Sequence, residues 1–231
     1  SKFKGVFKGK ILKSNFKLNF VFDENIIQID DFFFRDKQFS TNNKGKIEFK
    51  PYFKITSFSE IKNINTNLFK KLDIDNLIQS KVFFKRINSQ NKIIFKKKRF
   101  DRNLIDNFDM QLNLAYGRLN IAKKFQISGS NLSCKSNVNL LLEFPIVYFE
   151  CLLNSPDRKK LLKKIKVNLK TKNEPLKIFI NGNINILNKK VNFDKIKVDN
   201  NSVLLEDLKY YKLNFENILF DEDFKNIFNL S

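Results

Sequence analysis

The chain of 231 residues has no histidine and no tryptophan, only two cysteines, one methionine, four prolines and six glycines. Without histidine it can build no His-based triad, His-ligated metal site or imidazole proton shuttle. Cys134 and Cys151 are too few and too far apart in sequence for a structural zinc site. They are either neighbours across antiparallel strands, able to form a disulfide in an oxidising compartment, or two small buried apolar residues. Arginine is scarce too: Arg35, Arg86, Arg99, Arg102, Arg118 and Arg158 stand among 44 basic residues. Long apolar runs are missing. The longest, Val138 to Leu153, contains Glu143, Pro145 and Glu150 and is too short to span a bilayer.

What is abundant is Phe (27 residues), with Lys, Asn and Ile, and a formal net charge of +20. These residues have A/T-rich codons, so much of the composition reflects an A/T-rich genome. Apolar residues make up 42% of the chain, enough for a sizeable core. The charge raises the question of a nucleic-acid or anionic partner. Nucleic-acid readers favour Arg for bidentate and stacking contacts, whereas Lys is spread along this chain as a solvent-face residue. Basic clusters stand only at Lys96 to Arg99 and from Arg158 to Lys166.

Apolar side chains fall on alternate residues through most of the sequence: Phe16, Leu18, Phe20 and Phe22; Ile47 and Phe49; Met110, Leu112 and Leu114; Ile178 and Ile180; Ile184 and Ile186. A period of two predicts strands with one apolar and one wet face. Gly, a polar residue and a β-favouring residue recur as Gly9-Lys10-Ile11, Gly45-Lys46-Ile47, Gly117-Arg118-Leu119 and Gly182-Asn183-Ile184. Turns are expected at Glu24-Asn25, Asn42 to Gly45, Ser128 to Asn131 and Asn188-Lys189, with a bulge or edge at Pro51. Strand character is expected again at Val82 to Phe84, and Val138 to Leu153 reads as a strand buried on both faces or as a wide hydrophobic patch. Helical spacing is expected from Ser59 through Ile61, Ile64, Leu68, Phe69 and Leu72, and again over 203–228. Pro156-Asp157 and the spacing of Leu161, Leu162 and Ile165 fit a short basic helix, whereas Ile165, Val167 and Leu169 alternate as a strand would.

The segments 7–55 and 176–198 resemble the AsmA-like family of Gram-negative envelope proteins (the AsmA, TamB and YhdP type). The resemblance is carried by Phe7-Lys8-Gly9-Lys10-Ile11-Leu12, the run Phe16 to Phe22, Ile27-Gln28-Ile29-Asp30, Ile180-Asn181-Gly182-Asn183-Ile184-Asn185 and Val191-Asn192-Phe193-Asp194. It implies a mainly β fold: an elongated, curved antiparallel sheet forming an open apolar groove, with short capping helices near 60–80 and 203–228. The whole of 1–231 is then a single β-rich domain, a segment of a longer chain.

The family implies a non-enzymatic protein with no cofactor and no metal. Its parent chain is anchored in the inner membrane and extends through the periplasm, where it binds or conducts phospholipid in outer-membrane biogenesis. Phospholipid or a membrane surface is the expected partner, with other envelope proteins beside it, and nucleic acid is not expected. The groove candidates are Phe16, Leu18, Phe20, Phe22, Ile47, Phe49, Leu112, Leu114, Ile178, Ile180, Ile184 and Ile186; the same alternation would also fill a closed core. The alternative function is a basic module binding anions or nucleic acid. Catalysis by carboxylates would draw on Asp30-Asp31, Asp106 with Asp109, or Asp221 to Asp223.

Overall fold

The computed structural model describes residues 2–11, 14–35, 39–64, 81–96, 105–165 and 172–220. The fold is mainly β. Among the described residues thirteen strands form one sheet in chain order: β1 Lys2–Ile11, β2 Ser14–Asp23, β3 Ile26–Arg35, β4 Phe39–Glu48, β5 Lys54–Ile64, β6 Asn88–Lys96, β7 Asn107–Ala115, β8 Arg118–Ile127, β9 Ser130–Asn139, β10 Ile146–Ser155, β11 Leu176–Asn185, β12 Lys190–Val198 and β13 Asn201–Ser202. The sheet does not close into a barrel. Among the described residues there are three helices: α1 Lys81–Arg86, α2 Arg158–Lys164 and α3 Leu205–Phe220. The chain divides into two compact units, Ser1–Lys96 with Asp109–Asn120, and Lys97–Phe108 with Ile121–Ser231.

Tight turns explain why successive strands lie side by side. Left-handed backbone at Glu24, at Tyr116 and Gly117, at Ser128 and Gly129, and at Asp199 and Asn200 makes the short reversals that suit the twist of antiparallel strands. The first unit breaks this scheme once, because β5 and β6 run parallel, from Lys54 beside Asn88 to Ile61 beside Phe95. Parallel neighbours need a crossover rather than a hairpin, and α1 lies within it. Phe84 and Ile87 are buried there. The strand expected at Val82 to Phe84 is therefore a helix.

The helical spacing expected from Ser59 is also corrected, since Ser59 to Ile64 belong to β5. Thr41 pairs with Ile61 and Phe39 with Ile64, three residues of β5 against two of β4, so a bulge produces the three-residue spacing. The rest of that expectation, 65–80, lies outside the described residues, and Asn42 to Gly45 run inside β4 rather than turning.

In the second unit, Pro145 and the residues before it split Val138 to Leu153 into β9, a turn and β10. Cys134 and Cys151 face each other across these strands and are joined in a disulfide. The helix after Pro156 forms: Asp157 caps it by accepting the Lys160 N–H at 2.8 Å, and Leu161 is buried. Arg158 pairs with Asp199, so part of the basic run has a structural role. The expected C-terminal helix is α3, which packs on β12; residues 221–231 lie outside the described residues. Val191 is wholly buried.

Candidate lipid-binding face

In the first unit the pairing register sorts every strand residue to one of two faces, because directly opposed residues point the same way. Phe3, Gly5, Phe7 and Gly9 of β1 oppose Phe22, Phe20, Leu18 and Phe16 of β2. These in turn oppose Ile27, Ile29, Phe32 and Phe34 of β3, and Ile27 opposes Ile47 of β4. One face of β1 to β3 is thus apolar except at the two glycines and at Ser14, which opposes Ile11 at the end of β2.

The glycines leave room for aromatic rings. A Cβ at Gly5 would lie 2.5 Å from the Phe20 ring, and one at Gly9 would lie 2.6 Å from the Phe16 ring. Of the recurring glycines, Gly117 sits in the turn that leads directly into β8, whereas Gly9, Gly45 and Gly182 sit inside their strands. The apolar face is not covered at its margin. Phe3 is 62% and Phe7 59% exposed, while Phe16, Leu18 and Phe20 are half-buried.

A bulge preserves this face at β3. Ile29 opposes Gly45 and Phe32 opposes Asn43, so three residues on β3 span two on β4. The adjacent carboxylates Asp30 and Asp31 fall in the bulge, off the apolar positions. The acids considered for catalysis are otherwise engaged apart: Asp106 accepts the Ser128 N–H at 2.6 Å, and Asp109 pairs with Lys92 at 3.4 Å. Asp221 to Asp223 lie outside the described residues.

Beyond β3 the middle of the same face turns polar, between Ile47 and Ile55 toward one end and Ile61 and Phe95 toward the other. Asn43, Ser57 and Asn91 follow, tied by Asn43 Nδ2 to the Phe32 carbonyl (3.1 Å) and by Ser57 Oγ to Asn91 Oδ1 (2.7 Å). Ile47 thus shares the face of the β2 residues. Phe49 lies past the end of β4, exposed and in ring contact with Phe53 at 5.8 Å. Leu112 and Leu114 alternate on β7 with exposed Gln111 and Asn113; Leu114 is buried.

The opposite, polar face of this unit carries a depression of about 530 Å³. Lys44, Lys46 and Lys92 line it with Gln28, Gln90 and Phe58. Phe58 is opposed by Lys44 on β4 and Lys92 on β6 and is 39% exposed, an aromatic ring between two cations. Sequence reading missed it because Phe58 stands among polar residues, out of phase with any apolar series.

The second unit has an apolar face of its own. Ile178, Ile180 and Ile184 of β11 oppose Leu153, Cys151 and Val147 of β10 and Val198, Ile196 and Val191 of β12. Gly182 stands between Phe149 and Phe193, whose rings meet edge-on at 6.2 Å. Ile186 does not belong to this set, since β11 ends at Asn185 and Ile186 lies in the turn that follows. The twelve expected residues therefore do not form one cluster: Phe16, Leu18, Phe20, Phe22 and Ile47 share a face in the first unit, and Ile178, Ile180 and Ile184 share one in the second.

A charged side chain interrupts the apolar alternation of β8 in the second unit. On β8, Ile121, Lys123, Phe125 and Ile127 share a face, with Ala122, Lys124 and Gln126 on the other. Burial pushes the Lys123 amine below the ordinary lysine value. The signal was present in the sequence, as a single cation in step with the apolar residues around it.

No helix among the described residues is long and apolar enough to cross a membrane, which says nothing of strands. Comparison with protein-family models, curated proteins and solved structures gave no match.

Proposed function

We propose that this protein is a non-enzymatic envelope protein of AsmA-like type, which binds or conducts phospholipid along the apolar faces of its sheet. The observation that carries the reading is the apolar face of β1 to β3, broken only by Gly5, Gly9 and Ser14 and open at Phe3 and Phe7. The apolar positions Phe16 to Phe22 span about 20 Å of β2, comparable to the length of an acyl chain. Apolar contact of this kind stabilises by roughly 25 cal/mol per Å² without any directional polar group. The Cys134–Cys151 disulfide suits an oxidising compartment and so supports a periplasmic location, with the parent chain held at the inner membrane and other envelope proteins as partners.

Native mass spectrometry of the purified protein, followed by solvent extraction, tests this. Phospholipid should co-purify and should be lost when Leu18 and Phe20 are both replaced by Asp. A folded double variant that retains its lipid would exclude the β2 face.

A second reading, a basic module for anions or nucleic acid, is favoured by the depression around Phe58. It requires affinity for a single-stranded oligonucleotide that falls steeply with added salt and with Phe58→Ala.

A further inference from the structure

Among the described residues Lys123 is the one charged residue on the apolar face of the second unit as it runs through β8 to β11. The two-residue turn Ser128–Gly129 joins β8 to β9 so that the odd positions of β8 and the even positions of β9 share a face. On β9 that face carries Leu132, Cys134, Ser136 and Val138, and Cys134 opposes Cys151. Followed across β10, β11 and β12 its paired positions are aliphatic, aromatic, glycine, disulfide or serine, while Lys135, Glu150, Lys177, Lys195 and Lys197 fall on the other side and Asp194 is unpaired in the bulge of β12. Solvation would place a lysine on that other side, as it does Lys124.

Among the described residues no carboxylate pairs with Lys123, and no hydrogen-bond partner offsets the desolvation of its amine. A desolvated, unpaired cation next to a wide apolar surface complements a molecule of one shape: a long apolar tail with an anionic head at its end. Lys, a compact point charge with three rotatable donors, suits a phosphate whose orientation is not fixed.

We propose that the apolar face of the second unit takes a phosphate-headed acyl amphiphile, with the head on Lys123 Nζ and the tail along the apolar residues of β8 to β11. This deepens the lipid-binding reading above and rests on it.

The test compares two probes with one oleoyl chain each, 1-oleoyl lysophosphatidic acid and uncharged monoolein, titrated below their critical micelle concentrations into the whole chain. The wild-type protein should bind the phosphate-headed probe at least ~10-fold more tightly, the expectation for one charge-assisted contact of about 1.5 kcal/mol or more. In Lys123→Gln that preference should vanish while monoolein binding is unchanged, and Lys123→Arg should restore it. Glycerol 3-phosphate, which has the head and no tail, should bind with no dependence on Lys123.

If Lys123→Gln keeps both monoolein binding and the preference, the Lys123 anchor is overturned and lipid binding stands. If the wild type binds neither probe, the lipid-binding reading fails and the anchor fails with it. Retained monoolein binding reports that the variant is folded. Should Lys123→Gln not fold, Lys123→Met, which keeps the length and the apolar stem, takes its place with the same expectations.

Discussion

The backbone N–H of Val191 donates a hydrogen bond to Glu216 Oε1 at 2.7 Å, which ties the outer edge of β12 to helix α3. β13 pairs with β12 only at Lys197 and Val198, so the remainder of that edge is left to the helix. Lys190 and Lys212 lie 3.8 and 4.0 Å from the same carboxylate, and Lys212 Nζ also donates to Asn192 Oδ1 at 3.0 Å. An unprotected strand edge invites pairing with other chains, and the helix covers this one. At the first strand the device differs: β1 is studded with Lys2, Lys4, Lys8 and Lys10.

Glu216→Ala should therefore lower stability by about 1–3 kcal/mol, because it leaves a buried N–H without an acceptor. Urea denaturation measures it. Glu216→Gln, which keeps an acceptor oxygen, should lose less. Equal losses for the two variants would mean that the charge, rather than the edge hydrogen bond, holds the helix.

Reduction of the disulfide should also cost stability. Cys134 and Cys151 lie 17 residues apart, and a cross-link over a loop of that size stabilises by about 2–4 kcal/mol. A Cys134→Ser, Cys151→Ser double variant should show the loss at equilibrium. A thiol titration of the unfolded, unreduced protein should find no free thiol; two free thiols would remove the argument for an oxidising compartment.

Two glycines separate steric from conformational demands. A Cβ at Gly182 would lie 2.1 Å from the Asn192 carbonyl oxygen, beside the bulge where β11 and β12 change register. Backbone must move to admit it, so Gly182→Ala should cost about 3 kcal/mol or more. Gly129 meets nothing within 4 Å but has φ +83 in its turn. Gly129→Ala should cost only about 1–2 kcal/mol, the penalty of left-handed backbone for a residue with a Cβ. Comparable losses in thermal denaturation would contradict the close approach at Gly182.

How much of this was legible in the sequence depended on whether apolar residues kept step. Phe16 to Phe22 and Ile178 to Ile180 did, and their strands and faces follow directly from period two. The bulges broke the step. At Ile29 and Phe32, and at Ile61 and Ile64, residues three apart come into register with residues two apart, which imitates a helix. Asn42 to Gly45 carried the composition of a turn, yet Asn43 satisfies the Phe32 carbonyl and Gly45 lets the Thr56 carbonyl approach, both inside a strand. A local pattern cannot register such long-range partners. The parallel β5–β6 pair was hidden for the same reason, being set by which strand β6 meets rather than by its own residues.

Lys123 yields a prediction in which stability and pH are linked. Desolvation favours the neutral amine in the folded state, so the folded pKa lies below the unfolded one. Between the two values the unfolded chain binds more protons, and stability must rise with pH across that window. Below the folded value the amine is charged in both states, and the full cost of burying it is present. Lys123→Met should accordingly be more stable than the wild type at pH 7, with the gain shrinking as the pH approaches the unfolded lysine value. Urea midpoints of both proteins from pH 7 to about pH 10 follow this directly. A Met variant no more stable at neutral pH would show that the amine reaches water without cost, and the apolar face would then present no desolvated cation to a ligand.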